Sequence, residues 1–303
     1  MALKPSTQGF VEEARRTPGY SLFDWLHGYV YARWPYLYIG VGTGEHPLAR
    51  LLGPLVRWLA RLFPGDPGRA TFADTYHGKV VPLDAATQLV TVNEEIRITD
   101  LEKIVPYTRA RAIVLENPDH IVVLDCPCRV ARPNPCLPLD VCLVVGEPFA
   151  SFVAEHHPNR SRWITPQEAV DILQAEEERG HVHHAFFKDA MLDRFYAICN
   201  CCECCCGAMH AHRNGIPMLA SSGYTARVDV DLCVGCGVCA DFCQFGALAL
   251  GDGGAIVDGA ACMGCGVCVS QCAQGALTLA RDPAKGEPLE IRRLIASAAR
   301  ADG

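Results

Sequence analysis

Cysteine is absent from the first 125 residues of this 303-residue chain, and then occurs 18 times. Lys, Arg and His are absent from the whole stretch between Val228 and Ala280. Positive charge is short overall, 27 Lys and Arg against 34 Asp and Glu, which gives a net charge of −7. A nucleic-acid binder normally carries a basic surplus or stripe, so that class is excluded. Long apolar runs are missing too. A spanning helix needs roughly 20 apolar residues, and the best candidate, Trp34 to Gly44, is bounded by Arg33 and Glu45. No Gly-rich phosphate loop follows a strand, since Gly40-Val-Gly-Thr-Gly44 matches neither nucleotide fingerprint. There is no Gly-x-Ser-x-Gly elbow either. The opening residues, Met1-Ala-Leu-Lys-Pro-Ser-Thr-Gln, lack the apolar core of a secretory leader. Disulfide scaffolds are usually short and secreted. The expectation is therefore reduced thiolates holding metal in a cytoplasmic protein.

What is present is cysteine in three groups. Cys126, Cys128, Cys136 and Cys142 come first, then Cys199, Cys201, Cys202, Cys204, Cys205 and Cys206. The last eight are Cys233, Cys236, Cys239, Cys243, Cys262, Cys265, Cys268 and Cys272. These eight form an internal repeat, each half C-x2-C-x2-C-x3-C followed by Gly-Ala-Leu and a short β-prone segment. Gly251-Asp-Gly-Gly254 between the halves reads as a hairpin turn. Zinc sites favour two C-x2-C pairs split by a longer loop. Three thiols at every third position instead wrap one face of a cuboidal cluster.

Residues 228–280 thus resemble a bacterial two-[4Fe-4S] ferredoxin. In that family the fourth cysteine of each run ligates the other cluster. The resemblance implies Cys233, Cys236, Cys239 and Cys272 on one cluster, and Cys262, Cys265, Cys268 and Cys243 on the other. The family's proline after the fourth cysteine is replaced by Gln244 and Ala273. Proline supplies no ligand, so the implication stands. Asp229, Asp231, Asp241, Asp252 and Asp258 make this segment acidic, suited to docking on the basic patch of a redox partner. Ordinary solvated acids are the plainer reading.

Upstream, the pattern is mixed α/β. His77 to Leu83, Gln88 to Val92 and His120 to Leu124 read as strands, the last delivering Cys126 and Cys128. Thr165-Pro-Gln-Glu168 is a helix start and Gly180 a stop. If the run 199–206 is extended, neighbours face opposite ways. Cys199, Cys201 and Cys205 then share one side, and Cys202, Cys204 and Cys206 the other. Completed from the four thiols at 126–142, they would hold two further clusters and leave two thiols over. If the run is a loop, one cluster with several free thiols results. A cysteine-rich zinc module is the bland alternative.

This half also resembles a family of anaerobe iron–sulfur proteins. The matching residues are Cys126-Pro-Cys-Arg129, Glu168-Ala169 through Gly180-His-Val-His183, and Asn200-Cys-Cys-Glu-Cys-Cys205. The resemblance implies iron–sulfur binding fused to a ferredoxin module, with no settled substrate. Arg129, the cofactor-binding candidate, and Arg132 would balance thiolate charge or hold an anion; otherwise they are surface arginines. His181, His183 and His184 invite a metal reading, but structural histidines are the simpler one.

The expected fold class is α+β, a mixed α/β cysteine-rich domain followed by a ferredoxin-like dicluster domain. The expected divisions are 1–70, aromatic and then basic and amphipathic; 71–223, the upstream iron–sulfur domain; 224–283, the ferredoxin domain; and 284–303, a helix or tail. The segment 48–63 reads as an ordinary packed helix, with peripheral membrane contact on the cytoplasmic side or partner docking as alternatives. The leading function is electron relay between redox enzymes through [4Fe-4S] clusters. A reductase acting on a small substrate at 199–206, and a scaffold that passes on clusters, are the competitors.

Overall fold

The computed structural model describes residues 3–49, 72–99 and 101–301. Beyond residue 49, the amphipathic segment 48–63 lies outside the described residues. The architecture is mixed α and β, built on one large sheet with the cysteine repeat at its C-terminal side.

The sheet strands are β1 (Tyr76–Val80), β2 (Ile96–Ile98), β3 (Ile113–Asp125), β4 (Asp140–Glu147), β5 (Ser161–Ile164), β6 (Val182–Lys188), β7 (Arg194–Cys201) and β8 (Leu219–Ala220). Their order is β2-β3-β4-β7-β6-β1-β8, with β5 also on β3. Every pair is antiparallel except β1 with β8. Antiparallel sheets commonly leave one face wet, but here both faces are covered. Alternate residues Ile121, Val123, Leu143, Val145, Ala185 and Phe187 enter one core, while Val122, Leu124, Val144 and Phe186 enter the other. This two-sided burial explains apolar runs such as Ile121 to Leu124.

Helices α1 (Pro5–Arg16), α2 (Leu22–Arg33), α3 (Pro35–Gly42), α4 (Leu83–Val90), α5 (Phe149–His156) and α6 (Pro166–Glu178) supply the cover. On the first face α4 brings Ala85, Ala86, Leu89 and Val90, and α6 brings Ala169, Val170 and Leu173. The strand expected at Gln88 to Val92 is instead the end of α4. Its apolar residues follow a helical period, so one stripe meets the sheet. Helix α6 starts as its sequence indicates: Thr165 Oγ1 accepts from the Glu168 N–H at 3.1 Å, and Gly180 leaves it at φ +81°.

On the second face lie Phe10 and Ala14 of α1, Ala32 of α2, and Phe149, Phe152 and Val153 of α5. Burying each such Phe stabilises by about 1.5–3 kcal/mol. Ser21 and Asp24 form a capping box at the start of α2, and Pro35 opens α3 directly after it. Gly28 lets α2 approach the β6–β7 turn: a Cβ there would lie 1.9 Å from the Ala190 carbonyl oxygen. The aromatic N-terminal segment is thereby a roof over this face, with Trp25, Tyr29, Tyr31 and Tyr36 packed inward.

In the repeat, β9 (Tyr224–Val228) pairs with β12 (Leu277–Arg281), and β10 (Leu248–Gly251) forms a hairpin with β11 (Gly254–Val257). Each cysteine run passes two left-handed glycines, Gly235 and Gly237 at φ +67° and +84°, and Gly264 and Gly266 at +64° and +94°. The repeat is therefore one of backbone path as well as of spelling. It is docked on the sheet domain. Gln271 Nε2 donates to the carbonyls of Glu177 and Glu178, Ser270 Oγ donates to the Glu177 carboxylate at 2.9 Å, and Phe242 packs against Gly180.

Candidate metal centres

Within the repeat, Cys233, Cys236, Cys239 and Cys272 line one cavity, and Cys243, Cys262, Cys265 and Cys268 line a second. Each cavity has a volume of about 20 Å³. Backbone N–H groups reach the sulfurs: Ala255 to Cys233 at 3.4 Å, Ala247 to Cys243 at 3.2 Å, and Ala226 to Cys262 at 3.5 Å. Such bonds favour thiolate and would stabilise a reduced cluster.

The two quartets differ in setting. Around the first, Cys236 is exposed, as are Val230, Leu232, Val234, Leu250 and Ile256. Backbone N–H groups of Ala255 and Gly235 hold the Cys233 thiol below its ordinary range. The second faces the sheet domain. Burial pushes Cys265 far up and Cys268 up to about 12, with Met263 and Val267 inside the sheet's own core.

The run 199–206 is extended only as far as Cys201, the last residue of β7. It then turns over 203–205, and Cys206 precedes the helix α7 (Gly207–Arg213). The alternation expected of an extended run therefore ends at Cys201, and Cys205 and Cys206 change sides. Cys202, Cys204 and Cys205 gather with Cys136, all four sulfurs within 4.8 Å of one another. Cys204 lies 3.1 Å from Cys136 and 3.2 Å from Cys202. Burial raises Cys202 to about 12, and Cys136 and Cys204 to about 11.

The six other upstream thiols meet at the roofed face of the sheet. Cys142 on β4 pairs in register with Cys199 on β7, their sulfurs 4.0 Å apart. Cys201 ends β7, Cys206 precedes α7, and Cys126 and Cys128 sit at a helical turn over 127–130. Their sulfurs interact around a closed circuit: Cys126, Cys142, Cys199, Cys201, Cys206, Cys128 and back to Cys126. Thiol hydrogen bonds from Cys142 and Cys128 hold Cys199 and Cys206 down, to about 6 and about 5. Their hydrogen-bonded neighbour Cys201 is pushed well up. Six thiolates cannot share an apolar chamber unless a cation offsets their repulsion. Soft thiolates in such number suit iron–sulfur clusters.

The chamber has a volume of about 90 Å³. Cys202 and Cys205 also border it, although their sulfurs are grouped with Cys136 and Cys204. Tyr31, Tyr76 and Tyr196 close one side, with the Tyr31 and Tyr196 hydroxyls 2.7 Å apart. Burial raises all three phenols, which stay neutral.

Arg129 lines the chamber and is buried rather than a surface arginine. Its Nη2 donates to Glu176 Oε2 at 2.5 Å and to the Asn200 carbonyl at 3.1 Å, and meets His181 Nδ1 at 3.0 Å. Burial works against its charge, but Glu176 more than compensates and the guanidinium stays protonated. Its Nε has no partner among the described residues. Arg132 donates from Nε to the Cys205 carbonyl at 3.3 Å. His181 and His183 are engaged by Glu176 and Asn200, as structural histidines would be. His184 differs: it is buried with no side-chain hydrogen-bond partner among the described residues, and burial lowers it to about 3. It stands opposite Cys199 across β6 and β7. Sequence spacing gave no sign of the tyrosine wall, because its members come from α2, β1 and β7.

With this geometry in place, the comparisons narrow the class. Residues 226–249, spanning the first half of the repeat, match the 4Fe-4S binding domain family. Together with the cysteine groups, this makes the chain an iron–sulfur protein with a ferredoxin-type segment. No curated protein matches the chain significantly. No helix among the described residues is long and apolar enough to cross a membrane.

Proposed function

We propose that the chain relays single electrons between redox enzymes, from the exposed end of the repeat into the sheet domain. Cys233, Cys236, Cys239 and Cys272 hold the outer [4Fe-4S] cluster. Cys262, Cys265, Cys268 and Cys243 hold the inner one, and Cys136, Cys202, Cys204 and Cys205 hold a third. The remaining six thiols hold iron and sulfide in the chamber, with Arg129 beside them as a buried positive charge. Bound clusters of this kind supply one-electron couples, whose potentials follow burial and hydrogen bonding to sulfur.

One observation carries the route between repeat and sheet domain. Gln244, the residue directly after Cys243, accepts through Oε1 from the Glu203 N–H at 2.8 Å. Glu203 lies between Cys202 and Cys204. A residue adjoining an inner-cluster ligand thus bonds the backbone of the third site. The exposed apolar side chains around the outer quartet, with the repeat's exposed aspartates, offer a surface for a basic redox partner.

A reductase is the second reading, favoured by a largely apolar chamber with more thiols than a cubane requires. The test is EPR of the reduced protein with anaerobic iron and sulfide quantitation, on wild type and Cys236→Ala. The relay predicts loss of the outer signal, intact upstream signals, and slow upstream reduction by an external donor protein. Unchanged upstream reduction kinetics would count against the relay. Perturbation of chamber signals by small anions or thiols would favour the reductase.

A further inference from the structure

The chamber on the roofed face is not a fourth copy of the sites around it. In the two repeat sites and the Cys136 site the thiols divide into fours. In the chamber six sulfurs run in one closed circuit, each beside two others, and no group of four stands apart. The repeat sites also calibrate size within the same molecule. The cavity that the six border, together with the tyrosine wall and Arg129, is about 90 Å³, against about 20 Å³ at each repeat quartet. The chamber has room for more than twice what a repeat quartet encloses.

Ligand number points the same way. A cubane presents four irons and takes four thiolates. Two cubanes joined through one bridging sulfide each give up one terminal site, which leaves three irons apiece for thiolate. Six thiolates then complete the shell with none left over. A single cubane would leave two thiols buried against apolar walls and the Arg129 charge.

We propose that Cys126, Cys128, Cys142, Cys199, Cys201 and Cys206 together hold one eight-iron cluster, two cubane halves sharing a sulfide. The proposal rests on the reading that the upstream thiols bind iron–sulfur units. Arg129 lies along the chamber wall, and its Nε–H has no partner among the described residues, which leaves it free to donate to a sulfide of so anionic a group. The tyrosine wall keeps water from it.

The experiment is iron and sulfide quantitation with Mössbauer spectroscopy on the anaerobically purified full chain, followed by Cys→Ala substitution at each of the six positions. The repeat's EPR signals serve as the folding control. The expected content is about twenty irons per chain, with each of the six variants losing or altering the chamber's iron while keeping the repeat's signals. About sixteen irons, with two of the six variants unchanged in iron and spectrum, overturns the shared cluster and leaves the relay standing. About eight irons, all in the repeat, overturns both.

Discussion

The protein holds thiols in two ways. In the repeat, three of each site's four thiols lie three residues apart on one loop whose path is set locally by left-handed glycines, and the fourth comes from the other run. In the sheet domain they come from two strands, a helical turn at 127–130, the loop at Cys136, the turn at 203–205 and the residue before a helix, and only the assembled sheet brings them together. The first kind of site is carried by a short peptide, and the second depends on the stability of a whole core. Damage to the core should therefore separate them, emptying upstream sites while the repeat's clusters persist.

The largest such effect is expected at the buried pair Arg129–Glu176. Glu176→Ala leaves a guanidinium that is 1% exposed without its carboxylate, and breaking a buried pair costs about 3–5 kcal/mol. Denaturant unfolding of the sheet domain should show that loss, with upstream iron released first. A cost below about 1 kcal/mol would mean that the charge is solvated in a way the geometry does not display.

Gly180→Ala probes the joint between the two regions and should cost about 2–3 kcal/mol. A left-handed backbone is unfavourable for alanine, and its Cβ would lie 2.3 Å from the Phe242 ring. Adding Phe242→Ala removes the clash but not the backbone strain. The double variant should recover part of the electron-transfer rate between repeat and sheet domain. No recovery at all would place the whole cost in the backbone.

Legibility followed the same division. Spacing divided the eight C-terminal thiols into two runs, the ferredoxin resemblance implied that the runs exchange their fourth thiols, and the two cavities are lined by the corresponding fours. The ten upstream thiols could be counted but not grouped. Their grouping depends on where β7 ends, and a chain that turns at 203–205 sends Cys205 to Cys136 and Cys206 to Cys128. The helix start at Thr165 and the core strand at 120–124 were readable, since each depends on neighbours in sequence. The roof of α2 and α3 was visible only as an excess of aromatics, because what those rings cover lies far along the chain.

A third effect is confined to the sheet domain and depends on pH. His77 is buried between Tyr107 and Phe187, and burial lowers it from 6.5 to about 4. Between those values the unfolded chain binds more protons, so stability rises with pH through that window and is complete above 6.5. Acidification from pH 7 to about 4.5 should remove about 2 kcal/mol from wild type relative to His77→Phe. Parallel curves for the two proteins would show that the imidazole is not held neutral by the fold.

The smallest effect on stability tests the contact between the regions most directly. Where ferredoxins carry proline after the fourth cysteine, this chain has Gln244 at the inner site and Ala273 at the outer one. Ala273 is exposed, whereas Gln244 accepts from Glu203, so the two departures from one motif have different physical content. Gln244→Pro restores the motif and removes an acceptor, at a cost of about 1 kcal/mol. Ala273→Pro makes the same change where no partner is lost, and should be close to neutral. With stability nearly matched, the pair isolates the coupling. Rapid-mixing reduction should show slower filling of the Cys136 site in Gln244→Pro and wild-type rates in Ala273→Pro. Equal rates in both would mean that electrons enter the sheet domain by a route that does not pass this contact.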